Sequence, residues 1–385
     1  MTSLLRVMRP ALVLLFAVAA AATGAEPPLA AATTPPSALP AFKASLRDTM
    51  TRHLDLLLGP DGSAQALKGK TANGHAAFAF YLMFELTGNP AYRRAAIEIA
   101  DRILRDMRAT RFGVLAIKEK EKSDGEVILG GGPPALGFYA SRTAYILHRE
   151  GGRSADLAYL AGVIDRYPWQ EKGWWASTID VKTGESKEPM SKPAIINKTA
   201  AMAMAAGILS GYVREIAPEL SARLKRKTDQ GVFAQILPAQ EADGFWHYNL
   251  SGHDPKDKDV LGYFMLTTNV LMDLQRFNAT YRLPQLDAAL RRAQAFALRS
   301  IAPMTAPNLG PGGREHATPG TPLRYVLPDD TKRAFALGRI LLGSDHQAEG
   351  LRILHAALPH FPSGNTGQDG AHAAEPSAVI LIGQP

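Results

Sequence analysis

The sequence predicts an all-α fold: an (α/α) toroid of five to six helical hairpins, with an inner ring, an outer ring, and long loops carrying some short β structure on one rim. Three observations predict it. A nearly all-apolar helical stretch, a short turn and an amphipathic helical stretch recur five times along the chain. The apolar stretches begin near Gly74, Ala135, Lys198, Val260 and Lys332, a spacing of roughly sixty to seventy residues that marks a long-period repeat. Short connections alternate with long ones, so the loops sort into two classes.

The chain opens on a secretory-signal pattern. Arg6 and Arg9 form a basic start, and Ala11 to Ala22 is an apolar run too short and Ala-rich for a membrane span. Thr23-Gly24-Ala25 before Glu26 is the expected cleavage site. Residues 1–25 therefore read as a signal peptide, with an uncleaved anchor as the rival, and cleavage leaves no stable membrane insertion. The expected location is the periplasm or the cell exterior. Residues 26–41, rich in Ala, Thr and Pro, read as a flexible leader. An amphipathic helix over Phe42 to Leu58 precedes the first repeat.

The first hairpin is the clearest. Ala76 to Leu86 is apolar almost all round, which marks a helix buried on most sides. Thr87-Gly88-Asn89-Pro90 breaks it, with Gly88 suited to a left-handed helix end and Pro90 to the next first turn. Tyr92, Ala95, Ala96, Ile99, Ile103 and Met107 then recur at helical spacing, with Arg93, Arg94, Glu98, Asp101, Arg102 and Arg105 opposite. Leu136–Leu147 with Leu157–Ile164, Ala200–Leu209 with Leu220–Ile236, and Val260–Leu274 with Leu286–Leu298 repeat the pattern; Ala334–Leu342 and Ala348–Leu358 form a shorter fifth pair. A linear α-solenoid is the competing arrangement, but the inner stretches are more apolar than a solenoid's concave face. The toroid domain is expected over residues 42–360. Residues 361–385 read as a loosely ordered tail, apart from Ala378–Ile382.

Composition narrows the chemistry. The absence of cysteine removes disulfides, thiolate metal sites and a Cys nucleophile. A net charge of +7 permits an anionic ligand without requiring one. The basic residues are scattered over amphipathic helices, so nucleic acid is not an expected partner. No H-E-x-x-H, P-loop, G-x-S-x-G or Rossmann glycine pattern occurs.

Long loops are where function concentrates, and all four tryptophans, Trp169, Trp174, Trp175 and Trp246, fall in them. They either stack on a ligand or fill a small core beneath the loops. The densest constellation is Asp243 to Asp259, which gathers Trp246, His247, Tyr248, Asn249, His253 and four acidic residues. Aromatic rings there suit sugar faces, and His and Tyr can move protons; the bland alternative is a β-hairpin flap. Asp254, Asp257 and Asp259 read as caps of the next helix, with Ca²⁺ the weaker alternative; no other cofactor is expected. Asn197 opens the third inner helix, as an N-cap or as part of an anion-binding rim. Tyr139 and Arg142 share one face of the second inner helix. Arg142 in that apolar stretch needs either a ligand or a buried ion-pair partner.

The repeat, the segment His75–Ala96 with its Thr-Gly-Asn-Pro-x-Tyr turn, and Asp243-Gly-Phe-Trp-His-Tyr resemble the α/α-toroid superfamily of secreted polysaccharide lyases and six-hairpin glycosidases. The resemblance implies an exported enzyme acting on a polysaccharide or oligosaccharide, with β-elimination on uronates favoured over hydrolysis. For a lyase it implies Asn197 and Arg142 as carboxylate neutralisers, His247 as base, and Tyr248 or Tyr139 as acid. A glycosidase needs two carboxylates flanking the sugar; Asp243 and Asp259 are the candidates, with Glu126 and Glu188 behind them. Trp246, Trp174, Trp175, Asn249 and His253 complete the expected binding surface for a glycan or other small ligand. The alternative is a non-catalytic envelope protein that holds a glycan or peptide in the same cup.

Overall fold

The computed structural model describes residues 38–65, 70–115, 118–121, 127–130, 132–170, 172–176, 179–180, 183–186, 194–251, 261–301, 331–366 and 368–383. The expected signal and leader fall outside them, apart from the last few leader residues.

The predicted alternation of buried and half-wet helices is realised hairpin by hairpin. In α2 (Lys70–Thr87) the residues from Ala76 to Met83 are buried all round. Gly88, at φ 71°, ends it. The Asn89 side chain then accepts from the Ala91 amide at 3.0 Å and caps α3 (Pro90–Ala109), with Pro90 in the first turn. The face of α3 that is buried carries Tyr92, Ala95, Ala96, Ile99, Ile103 and Met107, the residues picked out by their spacing. The same logic gives α4 (Gly132–Glu150) with α5 (Ser154–Arg166), α6 (Ile196–Tyr212) with α7 (Pro218–Gly231), α8 (Leu261–Phe277) with α9 (Pro284–Phe296), and α10 (Thr331–Leu342) with α11 (Gln347–Ala357). Among the described residues no helix is long and apolar enough to cross a membrane.

The segment expected to be a loose tail instead forms α12 (Gln368–Leu381), and this is a correction with consequences. The helix packs on α10 on one side and on α2 on the other, closing an inner ring of α2, α4, α6, α8, α10 and α12. Its outer partner is α1 (Ala38–Leu56), so the first and last helices together make the sixth hairpin. Small residues and Pro376 hid it from the periodicity. Ala371, Ala373, Ala374 and Ala378 are buried because α12 is wedged between two neighbours and leaves room for little more than a methyl group.

Close approach of the inner helices depends on glycine elsewhere too. A Cβ on Gly137 of α4 would come within 2.5 Å of the Ala201 carbonyl oxygen of α6. One continuous apolar core joins the layers.

The long connections before α4, α6 and α8 each run from an outer helix back to the start of an inner one, and their described residues interlock. Strands β1 (Lys118–Glu121) and β2 (Val127–Gly130) from the connection before α4 pair antiparallel, and β2 pairs with β5 (Ile179–Asp180) from the connection before α6. In that second connection β3 (Trp169–Gln170) and β4 (Trp174–Trp175) form a hairpin. The connection before α8 joins them through a bridge between Asn249 and Ile195. The Trp174 and Trp246 loops thus share one rim.

Candidate functional site

Because every inner helix starts on the long-loop rim, their first turns surround a cup. A cavity of about 400 Å³ lies there between α2, α4, α8, α10 and α12. Its walls carry His75 from α2, Phe138 from α4, Tyr263 and Asn269 from α8, and His372 from α12. Asp273, Arg339 and Glu375 also line it, from α8, α10 and α12.

Four of the inner helices each bring an ionised side chain into their apolar stretch, and the four meet at this depth. Arg142 of α4 donates to Glu375 through Nε at 3.1 Å and again through a terminal nitrogen. The same terminal nitrogen donates to Asp273 Oδ2, and Arg339 donates to Asp273 Oδ1. Arg142 is only 1% exposed and lies over the rings of Phe78 at 4.8 Å and Phe138 at 5.4 Å. Burial works against its charge, but Glu375 and Asp273 more than offset that and raise its affinity for the proton. For the Glu375 carboxyl, burial alone pushes the pKa up. The Arg142 guanidinium, followed by His75, overcomes it and holds the group well below the usual carboxylate range.

Glu375 Oε2 is bonded to Nδ1 of His75. The His75 ring meets the His372 ring edge to face, with centroids 4.3 Å apart and planes at 69°. A carboxylate-oriented imidazole beside a second imidazole, on the wall of a cavity with an arginine in its floor, is an acid–base arrangement.

The residues expected from sequence take other places. His247, Tyr248, Trp246, Asn197 and Arg142 do not line this cavity. Trp246 is turned inward: it is buried, its Nε1 donates to the Ile236 carbonyl at 3.0 Å, and it packs near Phe264. His247 lies 3.2 Å from Glu241 and packs against Phe245. The Tyr248 ring lies 5.0 Å from that of Tyr263 on the cavity wall. Asn249 is held in the bridge to Ile195. Asp243 accepts from the Phe245 amide at 3.0 Å and shapes a turn.

Tyr139 is buried, and its hydroxyl accepts from the Leu115 amide at 2.9 Å; burial raises its pKa. Asn197 is buried at the start of α6, with Oδ1 lacking a hydrogen-bond partner among the described residues. Trp175 is buried against Trp169, with centroids 4.5 Å apart, and Trp174 is half-buried beside it on β4. His253, Asp254, Asp257, Asp259, Glu126 and Glu188 lie outside the described residues.

His75, His372, Glu375, Asp273 and Arg339 were missed as a set. A usable signal existed: Arg142, Asp273, Arg339 and Glu375 are each an ionised residue inside an apolar inner helix, where an unpaired charge is untenable.

No family model and no curated protein sequence matches the chain. Solved structures do match in fold. Cellobiose 2-epimerase from Spirochaeta thermophila is similar at a TM-score of 0.62 and 13% identity, covering 91% of this chain and 98% of that one. D-mannose isomerase is similar at 0.55 and 12%, covering 91% and 99%. A polysaccharide lyase is similar at 0.50 and 11%, covering 88% and 96%. The chain shares the α/α-toroid fold with these three proteins over nearly the whole of its length.

Proposed function

We propose that this protein is a carbohydrate-acting enzyme that moves a proton at the sugar carbon next to a carbonyl or carboxylate group, with His75 and His372 as its acid–base pair. The observation that carries the reading is the contact of the two imidazoles in the cup, one of them oriented by a buried carboxylate. One histidine takes the proton from carbon, and Arg339 in the floor stabilises the negative charge that develops on oxygen. The other histidine returns a proton to carbon, giving an isomer or epimer, or protonates a departing glycosidic oxygen, giving an unsaturated uronate. Isomerisation, 2-epimerisation and β-elimination share this first step, and the three structural neighbours carry the names of those reaction classes.

Among the described residues, hydrolysis fits the cup less well. A glycosidase needs one carboxyl group protonated, whereas Glu375 and Asp273 are both bonded to Arg142 and Glu375 is held ionised.

The test is a panel of reducing mono- and disaccharides and uronate-containing oligosaccharides. Products are followed by chromatography of isomers, by the absorbance of unsaturated uronates and by new reducing ends. The expected result is an isomer or an unsaturated product, with turnover lowered about a hundredfold or more in His75→Ala and in His372→Ala. New reducing ends with neither product would overturn the reading in favour of hydrolysis.

We also propose export, supported by Arg6, Arg9 and the Ala11–Ala22 run. A protein beginning near Glu26 on N-terminal sequencing is expected; recovery of the intact Met1 form from membranes would show an anchor.

A further inference from the structure

Arg142 does not line the cavity, yet two groups that do are held through it. Its guanidinium bonds one oxygen of Glu375 and one of Asp273. Each carboxylate turns its other oxygen to a cavity residue, Glu375 to His75 and Asp273 to Arg339. One buried cation therefore fixes a histidine and an arginine that come from different inner helices.

The consequence for His75 is chemical as well as geometric. An ionised carboxylate can only accept hydrogen bonds. With Glu375 held ionised, Nδ1 of His75 has to be the donor of the bond between them. The neutral imidazole then carries its single proton on Nδ1 and its lone pair on Nε2. Were Glu375 to bind a proton, it could donate to Nδ1 instead, and the imidazole proton would move to Nε2. That tautomer has no free lone pair with which to take a proton from substrate.

We propose that Arg142 is a positioning residue: by keeping Glu375 an acceptor it locks His75 in the Nδ1–H tautomer, with Nε2 as the nitrogen that takes the substrate's proton. The role of Nε2 rests on the acid–base reading of the cup, whereas the tautomer follows from the ion network alone. A purely structural Arg142 would hold the helices together without selecting a tautomer.

Long-range ¹H–¹⁵N spectra of the full chain labelled with ¹⁵N-histidine separate the two cases. They are recorded above the imidazole titration range, with the His75 signals assigned by their loss in His75→Gln. Wild type is expected to show the Nδ1–H pattern at His75. Arg142→Met is expected to lose it for a mixture dominated by Nε2–H, the form free histidine side chains favour in water. Because Arg142→Met leaves two buried carboxylates with only the Arg339 cation to balance them, the same spectrum is taken for Arg142→Met combined with Asp273→Asn, which removes the excess negative charge. An Nε2–H pattern in wild type overturns the proposal whether or not either variant folds, and so does an unchanged Nδ1–H pattern in a folded Arg142 variant. Absence of turnover on every sugar would sink the acid–base reading and leave the tautomer result standing.

Discussion

Protonating His53 should loosen the closure of the ring. His53 lies on α1 and is fully buried. Its Nδ1 accepts from the Gly364 amide at 3.1 Å, and its ring meets Phe361 at 5.3 Å. It thereby ties the first helix to the connection that leads into α12. Burial lowers its pKa from 6.5 to about 4, and an interaction with the Pro362 backbone offsets this only in part. Above pH 6.5 the imidazole is neutral in folded and unfolded chains alike, and its contribution to stability is fully present. As pH falls below 6.5 the unfolded chain binds the proton and the folded chain resists it, so stability is lost. The loss levels off below about pH 4 at about 3 kcal/mol, and is about 2 kcal/mol at pH 5. The assay is urea unfolding of wild type and His53→Gln at pH 7.5 and pH 5. A glutamine carbonyl can accept the Gly364 amide without titrating, and the carboxylates contribute equally to both proteins. The stability difference between the two should therefore move by about 2 kcal/mol in favour of the variant at pH 5. A difference that stays the same at both pH values would show that protonation of His53 does not oppose folding.

Two further outcomes follow from packing. Trp246→Ala should destabilise the fold by about 3–5 kcal/mol, because a buried ring is lost and the Ile236 carbonyl loses its donor; an unchanged melting temperature would show that the ring is not part of the core. Gly137→Val should cost at least about 1–3 kcal/mol, since α4 and α6 leave no space for a Cβ at that crossing; thermal unfolding measures it, and a melting temperature equal to wild type would contradict the close approach.

The layers of the fold were legible because helical hairpins write their burial into local periodicity. Tyr92, Ile99 and Met107 could be read as one buried face from spacing alone, and Gly88-Asn89-Pro90 as the turn that precedes it. The rim was legible from loop length. The cup was not, because its groups meet only when the ring closes: His75 and Glu375 are 300 residues apart, and Arg142 and Asp273 are 131 apart. Within α4, Arg142 reads as an isolated charge until α8 and α12 bring carboxylates to it. The Trp246–Tyr248 run drew attention by residue type, yet the bridge to Gln240 and the bond to the Ile236 carbonyl hold Trp246 in the core, while Tyr248 lies toward Tyr263. The closing helix α12 escaped because Gly370 and Pro376 disfavour a helix and its small Ala residues blur the apolar stripe.

Proton transfer at a sugar carbon through His75 and His372 is the reaction proposed for the cup. Its most direct test is turnover in ²H₂O of whichever sugar the panel identifies, with the carbon next to the carbonyl or carboxylate followed by NMR. Wild type is expected to incorporate solvent deuterium at that carbon or release its proton, and His75→Ala and His372→Ala are expected to slow this about a hundredfold or more while remaining folded. Conversion of the sugar with the original hydrogen retained at that carbon, or full exchange in both variants, would contradict it.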